Sequence, residues 1–434
     1  MTFIQPDKQH VEIGAKQVGK IIPTEFGLFY VDVARDFMNR TKKVFLLIDE
    51  KGNIEPVLEG AVWKGKYVLH SESEGIPPAT NLFSFDEIIN APDMSLKDAY
   101  ESVKEVLQKT VYFHSDLLYD LVVSWCAYTW LRGLFPKNIN LYFLGFPATG
   151  KSQALKFIKN FARYVVDYDP LAQKSYKWAI HHSLGVLAID EAEYLTKTTL
   201  ARLRKFHETE VYEQRVIGLP LVGLTSIDLR VDAPVVISAT HVPPDPAFMQ
   251  RGLIIRMVKG NPEIKDFSQI PILEELRRAF AKAVLTNWKK IFESLTFILE
   301  YSHEVNVDER IKDVAIPFAT ILHAIGGEYQ MPYIIALFSF KQATYTTIQS
   351  TVFAMTVLEM KKELEDFGNC YRIPIKKVLE ILDRVGRSFG IHKEKMLNLL
   401  QYFFAGGKIR TSENELYYYF DKGTFDNLVR YLEV

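Results

Sequence analysis

Four stretches in the middle of the chain share one pattern. Each is a short strand-like run, at 140–144, 163–167, 185–189 and 233–239, and all but 163–167 are nearly unbroken in apolar residues. Between them apolar positions recur at helical spacing, as in "SQALKFIKNFARY" (152–164). A strand that is apolar at every position has both faces covered. Alternation of such strands with helices predicts βαβ units and a mainly parallel sheet. "LIIRM" (253–257) is a further strand-like run.

The flanking regions have other rhythms. "GLFYVDVA" (27–34), "KVFLLID" (43–49) and "AVWKGKYVLHS" (61–71), separated by Gly, Pro and Asn turns, predict a small β-containing (α+β) domain over residues 1–95. A helix, "SLKDAYESVKEVLQKTV" (95–111), leads into the core unit, 96–268. Residues 269–368 carry helical spacing almost throughout, as in "PILEELRRAFAKAVLTNWKKIFESL" (271–295). Residues 369–434 read as helix (374–386), helix (392–407), hairpin (408–420) and helix (424–432), the outline of a winged helix.

The most apolar segment, "DLLYDLVVSWCAYTWLRGLF" (116–135), predicts a buried helix with Ser115 as its N-cap. Asp120 and Arg132 bracket an apolar stretch shorter than the roughly 18 residues of a membrane span, so no membrane is expected. The 434 residues carry a net charge of −1, which excludes a wholly basic nucleic-acid coat but not a local basic face. Two cysteines, Cys126 and Cys370, are too few for a disulfide scaffold or a cysteine zinc site, and a reducing cytoplasm is the expected setting.

Chemistry enters at Gly145-Phe146-Pro147-Ala148-Thr149-Gly150-Lys151-Ser152, which fits G-x-x-x-x-G-K-[ST] between a strand and a helix. The glycines let the backbone curl so that successive N–H groups, from Pro147's neighbours through Ala148 and Thr149 to Gln153, face phosphate oxygens. Lys151 would reach the β- and γ-phosphates of a nucleoside triphosphate, and the Ser152 hydroxyl would ligate Mg²⁺. A second acid for the metal comes forty residues later, where the strand of "LGVLAIDEAEYL" ends in Asp190-Glu191. Asp190 is expected to hold Mg²⁺ through water, and Glu191 to orient and polarise the attacking water. Glu193 reads as a continuation of the following helix face. "PVVISATH" (234–241) is another buried strand, and Thr240 or His241 at its end is placed to touch the γ-phosphate or the water. Arg251 follows, in a position from which a ring neighbour's γ-phosphate can be reached.

With these pieces in order, residues 112–330 resemble the AAA+ ATPases: GFPATGKS as Walker A, VLAIDE as Walker B, VVISATH as the sensor-1 strand and FMQRGLIIRM as the arginine-finger region. More narrowly, the region is similar to the MCM-like and the phage- and plasmid-type replicative helicases of mobile elements. The apolar helix before the P-loop strand and the hairpin-like "RVIGLPLVGLTSIDLRV" (215–231) suggest that branch. The resemblance implies an α/β P-loop NTPase core of AAA+ type, a parallel sheet flanked by helices, with a helical lid. It also implies ATP and Mg²⁺ as cofactors, DNA as partner and a homo-oligomeric ring, a hexamer. "DERIKDVAIPFATILHAIGG" (308–327) resembles the lid helix, making Arg310 the candidate sensor-2 arginine. AAA+ proteins commonly carry Asn at the end of the sensor-1 strand, where this chain has His241, so Thr240 and His241 both stand as candidates.

Over 371–434 there are eleven Lys or Arg against eight Asp or Glu, a mildly basic unit. A winged helix there would set Lys393 and Lys395 of its second helix, with Lys408 and Arg410 of its wing, against DNA, or would serve as a protein dock. Arg215 and Arg230 of the 215–230 hairpin are a second candidate contact. Tyr417-Tyr418-Tyr419 reads as strand packing. Three functions follow: an ATP-driven DNA translocase or helicase, an ATP-gated initiator or helicase loader that acts as a switch, and an AAA+ machine acting on protein partners with the winged helix as a dock.

Overall fold

The structure is a computed structural model. It describes residues 16–18, 22–24, 27–35, 41–57, 62–63, 67–69, 85–113, 116–168, 180, 185–209, 212–219, 223–240, 243, 245–303, 309–326, 348–368, 370–389, 408–412 and 415–422. Its centre is a five-stranded parallel sheet of β1 (Asn140–Gly145), β2 (Val165–Tyr168), β3 (Val186–Ile189), β4 (Val235–Ala239) and β5 (Gly252–Met257). The order across the sheet is β5-β1-β4-β3-β2, so β4 is inserted between the loop-bearing strand and the acidic one. The predicted runs at 140–144, 163–167, 185–189, 233–239 and 253–257 all lie on these strands.

The period-2 alternation within each run explains why the central runs are apolar on both faces, while Asp167 of β2 is exposed. Leu141, Phe143, Val165, Val186, Ala188, Val236, Leu253 and Ile255 enter one apolar cluster. Their neighbours Tyr142, Leu144, Val166, Leu187, Ile189, Val235, Ile237 and Ile254 enter a second cluster on the opposite face. The first cluster is roofed by α1 (Leu96–Thr110), α2 (Asp116–Trp130), α3 (Lys151–Phe161), α5 (Leu273–Thr286), α6 (Trp288–Ser302) and α7 (Glu309–Ile325). The second is covered by α4 (Lys197–Leu203) and the short helix Pro246–Met249.

Ser95 caps α1 by accepting the Asp98 N–H at 3.0 Å. The apolar helix α2 is the predicted buried one, spanning 15 residues, of which all but Asp116 are buried. Its expected N-cap, Ser115, lies outside the described residues. Two indoles pin it beneath the sheet: Trp125 Nε1 donates to Ile139 O at 2.8 Å and Trp130 Nε1 to Phe161 O at 3.0 Å. Among the described residues no helix is long and apolar enough to cross a membrane.

The N-terminal strands form an antiparallel sheet, Ile22–Thr24, Gly27–Arg35, Thr41–Ile48 and Ile54–Val57 in spatial order. Leu28, Tyr30, Leu46 and Ile48 pack into the same apolar cluster as α1 and α5. The buried Arg163 guanidinium lies 4.3 Å from the Tyr30 ring centre. The segment between β3 and β4 forms the expected hairpin, Tyr212–Leu219 against Gly223–Arg230, with Arg230 opposite Tyr212 and Arg215 opposite Ile227.

Helical spacing over 269–368 is realised in α5, α6, α7 and α8 (Ile348–Lys361). In the C-terminal region α9 (Ile375–Phe389) precedes the expected hairpin, Lys408–Ser412 with Glu415–Asp421. Two strands absent from the sequence reading, Glu365–Phe367 and Cys370–Pro374, extend that hairpin to four antiparallel strands. Tyr417 is buried, and the Arg372 guanidinium sits 4.5 Å from its ring centre, which makes it a packing residue. Lys393, Lys395, the second predicted helix and the last one lie outside the described residues.

Candidate functional site

Residues 145–152 form a loop that leaves the C-terminal end of β1 and enters α3 at Lys151. The two glycines are needed for different reasons. A Cβ on Gly145 would stand 2.5 Å from the Met257 carbonyl oxygen and 2.7 Å from Thr149 Oγ1, so this position is closed by crowding from β5. A Cβ on Gly150 would meet only an ordinary contact, Met257 Cε at 3.7 Å, but the residue's φ of +90° is one that side chains rarely adopt, and it is the N-cap of α3. Ala148 is also left-handed, at φ 62°. Thr149 Oγ1 donates to Phe146 O at 2.8 Å, bracing the curl from within. Pro147, Ala148, Gly150 and Ser152 are exposed at the mouth of the loop. Gln153, on the first turn of α3, donates from Nε2 to Lys265 O at 3.1 Å and joins the helix to the segment after β5.

Lys151 turns back over the loop, and its ammonium donates to Gly145 O at 2.7 Å and Phe146 O at 2.8 Å. Partial burial lowers its pKa from the ordinary lysine value, while the charges of Glu193 and Asp190 act in the opposite sense. The acids at the end of β3 therefore face the loop lysine.

Register explains how they meet. Ile189 of β3 pairs with Ile237 of β4, and Ala239 of β4 pairs with Leu144 of β1. One residue further along each strand, Asp190 stands beside Ser238 and Thr240 stands beside Gly145. Across β4, the ends of β1 and β3 are about 10 Å apart, two strand spacings. By alternation Asp190, Ser238 and Thr240 share the side-chain face of Ala188 and Val236, the face on which α3 packs. Ser238 Oγ donates to Asp190 Oδ1, which also accepts the Glu191 N–H at 3.1 Å. Glu191 is exposed and left-handed, with φ 51° and ψ 48°. That backbone state costs an ordinary side chain about 1–2 kcal/mol, and strain of this kind gathers at functional sites.

Two residues of this cluster escaped the sequence reading. Ser238 orients the Asp190 carboxylate; its signal was a hydroxyl two positions before Thr240 on an otherwise apolar strand. Glu193 does not continue a helix face. It lies in a single 3₁₀ turn, Ala192–Tyr194, and its Oε1 accepts from Thr240 Oγ1 at 2.6 Å. His241 lies outside the described residues.

The two candidate arginines lie at the opposite edge of the sheet. Asn140 N–H donates to Arg251 O at 3.0 Å, which places Arg251 at the N-terminal end of β1, about 17 Å along the strand from Gly145. Its Nη1 donates to Arg204 O at 2.7 Å, its Nε to Ala247 O at 3.1 Å, and Glu208 lies 3.8 Å away. Arg310, at the start of α7, donates from Nη1 to Gln250 Oε1 at 3.0 Å and adds its positive charge to the surroundings of Arg251. Neither is gathered with Lys151 of its own chain. Beneath Arg251, buried His207 has its Nδ1 2.6 Å from Asn138 O, and burial pushes its pKa down to about 4.

The donor set can be tested against Mg²⁺ and ATP. Among the described residues no cluster of three or more His, Cys, Asp or Glu side chains can hold a metal ion by itself. Mg²⁺ is commonly held by one or two protein oxygens, the rest coming from phosphates and water. Asp190 and Ser152, with the glycine-lined curl and Lys151, fit that pattern.

No protein-family model matches the chain, and no curated protein does. Its shape is distantly similar to several solved structures. One is described as SCCmec type IV Cch, an active helicase, at 11% identity over 95% of this chain and 80% of that one, TM-score 0.40. A full-length MCM homologue from Methanopyrus kandleri matches at 12% identity over 73% and 77%, TM-score 0.37. The C-terminal region of NrS-1 matches at 12% identity over 90% and 96%, TM-score 0.31. Likeness this remote carries no weight for the chemistry, which rests on the residues themselves.

Proposed function

We propose that this chain hydrolyses Mg-ATP and works as a ring-forming DNA translocase or helicase in replication of a mobile element or virus. The observation that carries the hydrolysis is the convergence at one sheet edge of the Lys151 loop, Asp190 held by Ser238, and Thr240 held by Glu193. In this reading the loop amides and Lys151 bind the phosphates, and Ser152 and Asp190 hold Mg²⁺. The ion, when bound, neutralises charge on the β- and γ-phosphate oxygens. Glu191 orients and polarises the attacking water, and Thr240, or His241 beside it, contacts that water or the γ-phosphate.

The ring is supported by the position of Arg251 and Arg310. Too far from their own loop to serve it, they sit together on one corner, where they would serve the site of a neighbouring subunit in a head-to-tail ring. Work on DNA rests on the resemblance and on the basic C-terminal unit with its antiparallel hairpin.

The test is ATP hydrolysis by the full chain with and without single-stranded DNA, alongside the particle mass with a nonhydrolysable analogue. Lys151→Ala is expected to abolish turnover, and DNA to stimulate the wild type. Undiminished hydrolysis by Lys151→Ala would overturn the site. Slow, DNA-indifferent turnover with tightly retained nucleotide would replace the translocase by an ATP-gated loader.

A further inference from the structure

Glu191 is the acid that the motif spacing singles out, yet the side chains assign a different carboxylate to the end of β4. Glu191 takes the left-handed conformation and turns the chain over, so that it stays exposed while Glu193 is carried back against β4 in a half-buried position. There both oxygens of Glu193 meet one residue: Thr240 Oγ1 donates to Oε1 at 2.6 Å, and the Thr240 N–H points to Oε2 at 3.4 Å. Thr240 is also the residue that the register sets beside Gly145.

We propose that Glu193 is a positioning residue of the hydrolytic site, fixing the hydroxyl of Thr240 at the mouth of the Lys151 loop. The inference rests on the Mg-ATP reading above. A threonine hydroxyl has one proton, and here it is committed to the carboxylate. What the oxygen then offers toward the loop is its lone pairs, which accept a hydrogen bond from water and repel phosphate oxygens. Glu193 thus sets the polarity of Thr240, making it an acceptor for the attacking water rather than a donor to the γ-phosphate. The negative charge of Glu193, like that of Asp190, also acts on Lys151 against the effect of its partial burial.

The test uses the full chain with Mg-ATP, separating kcat from KM, together with the Kd of a fluorescent ATP analogue and a melting curve for each variant. Glu193→Ala and Thr240→Val are each expected to lower kcat by about tenfold or more with KM and Kd within about threefold, the signature of a group that acts after binding. Glu193→Gln keeps an acceptor oxygen and should recover most of the rate, as should Thr240→Ser. The double variant Glu193→Ala/Thr240→Val should be no slower than the worse single one, because the two residues act as a unit. Wild-type kcat in Glu193→Ala, or single losses that multiply in the double variant, would overturn the proposal. If Glu193→Ala does not fold, the serine and valine variants of Thr240 decide: equal rates refute it. Loss of hydrolysis in Lys151→Ala beside a normal Glu193→Ala would sink the Glu193 role alone. Full hydrolysis by Lys151→Ala would remove both readings.

Discussion

Acidification should weaken the corner that carries Arg251, and His207 is the reason. Its ring is buried, and Nδ1 lies 2.6 Å from the Asn138 carbonyl oxygen, which can only accept, so Nδ1 carries the proton of the neutral ring. Charging the other nitrogen is opposed first by burial and then by Arg251 and Lys137, while the Asn138 carbonyl and Glu208 favour it. The balance puts the pKa at about 4, against the ordinary 6.5. A folded pKa below the unfolded value means that the unfolded chain takes up the proton first. The contribution is therefore present above pH 6.5 and lost as pH falls toward 4. Between pH 7 and 5 the unfolded histidine becomes almost fully charged and the folded one stays mostly neutral, which integrates to about 2 kcal/mol. His207→Gln retains a side-chain donor but does not titrate. Urea unfolding followed by tryptophan fluorescence at pH 7, 6 and 5 measures the difference. The wild type should lose about 2 kcal/mol more than the variant over that range, because carboxylate titration is common to both and cancels. Parallel curves for the two proteins, within about 0.5 kcal/mol, would refute the reasoning.

Three further outcomes follow from the packing. Gly145→Ala forces a Cβ to within 2.5 Å of the Met257 carbonyl oxygen, which is sheet backbone, and 2.7 Å of the Thr149 hydroxyl that braces the loop, so it should cost about 1–3 kcal/mol in thermal unfolding and weaken binding of an ATP analogue. Asp120, buried between α1 and α2, pairs with Lys104 at 2.7 Å, and Tyr100 OH donates to its backbone carbonyl at 2.7 Å. Asp120→Ala strands the Lys104 charge and should destabilise by about 3–5 kcal/mol, with Asp120→Asn losing less. Mixing Lys151→Ala with Arg251→Ala chains, each inactive alone, should restore up to about a quarter of wild-type hydrolysis, since that share of subunit pairs joins an intact loop to an intact arginine. A mixture as inactive as its parts would place Arg251 outside the neighbour's site.

The parallel sheet was legible because both-faced burial writes itself as unbroken apolar runs, and each of the predicted runs is a strand. The residues of the loop were legible because phosphate-binding geometry needs Gly, Lys and a hydroxyl at fixed local spacing. The strands Glu365–Phe367 and Cys370–Pro374 were not, since runs of three and five residues that carry charges and a proline show no clear periodicity. Glu193 was misread for a related reason. Helical spacing after Asp190 assumes that the helix begins there, and the left-handed Glu191 instead breaks the chain into a single turn.

What the sequence by itself determined is whatever a local pattern can specify: which segments are strands, where the phosphate loop lies, and which acids end the next strand. Only the tertiary structure decided that β4 lies between β1 and β3, because strand order is set by how helices cover the sheet and leaves no mark on any one strand. From that insertion follow Ser238 against Asp190 and Thr240 against Glu193. The place of Arg251 has a different origin: a parallel sheet sends all its C-terminal ends to one side, and an arginine that directly precedes β5 is left on the other. Arg310, on α7, is brought beside it by helix packing and the hydrogen bond to Gln250.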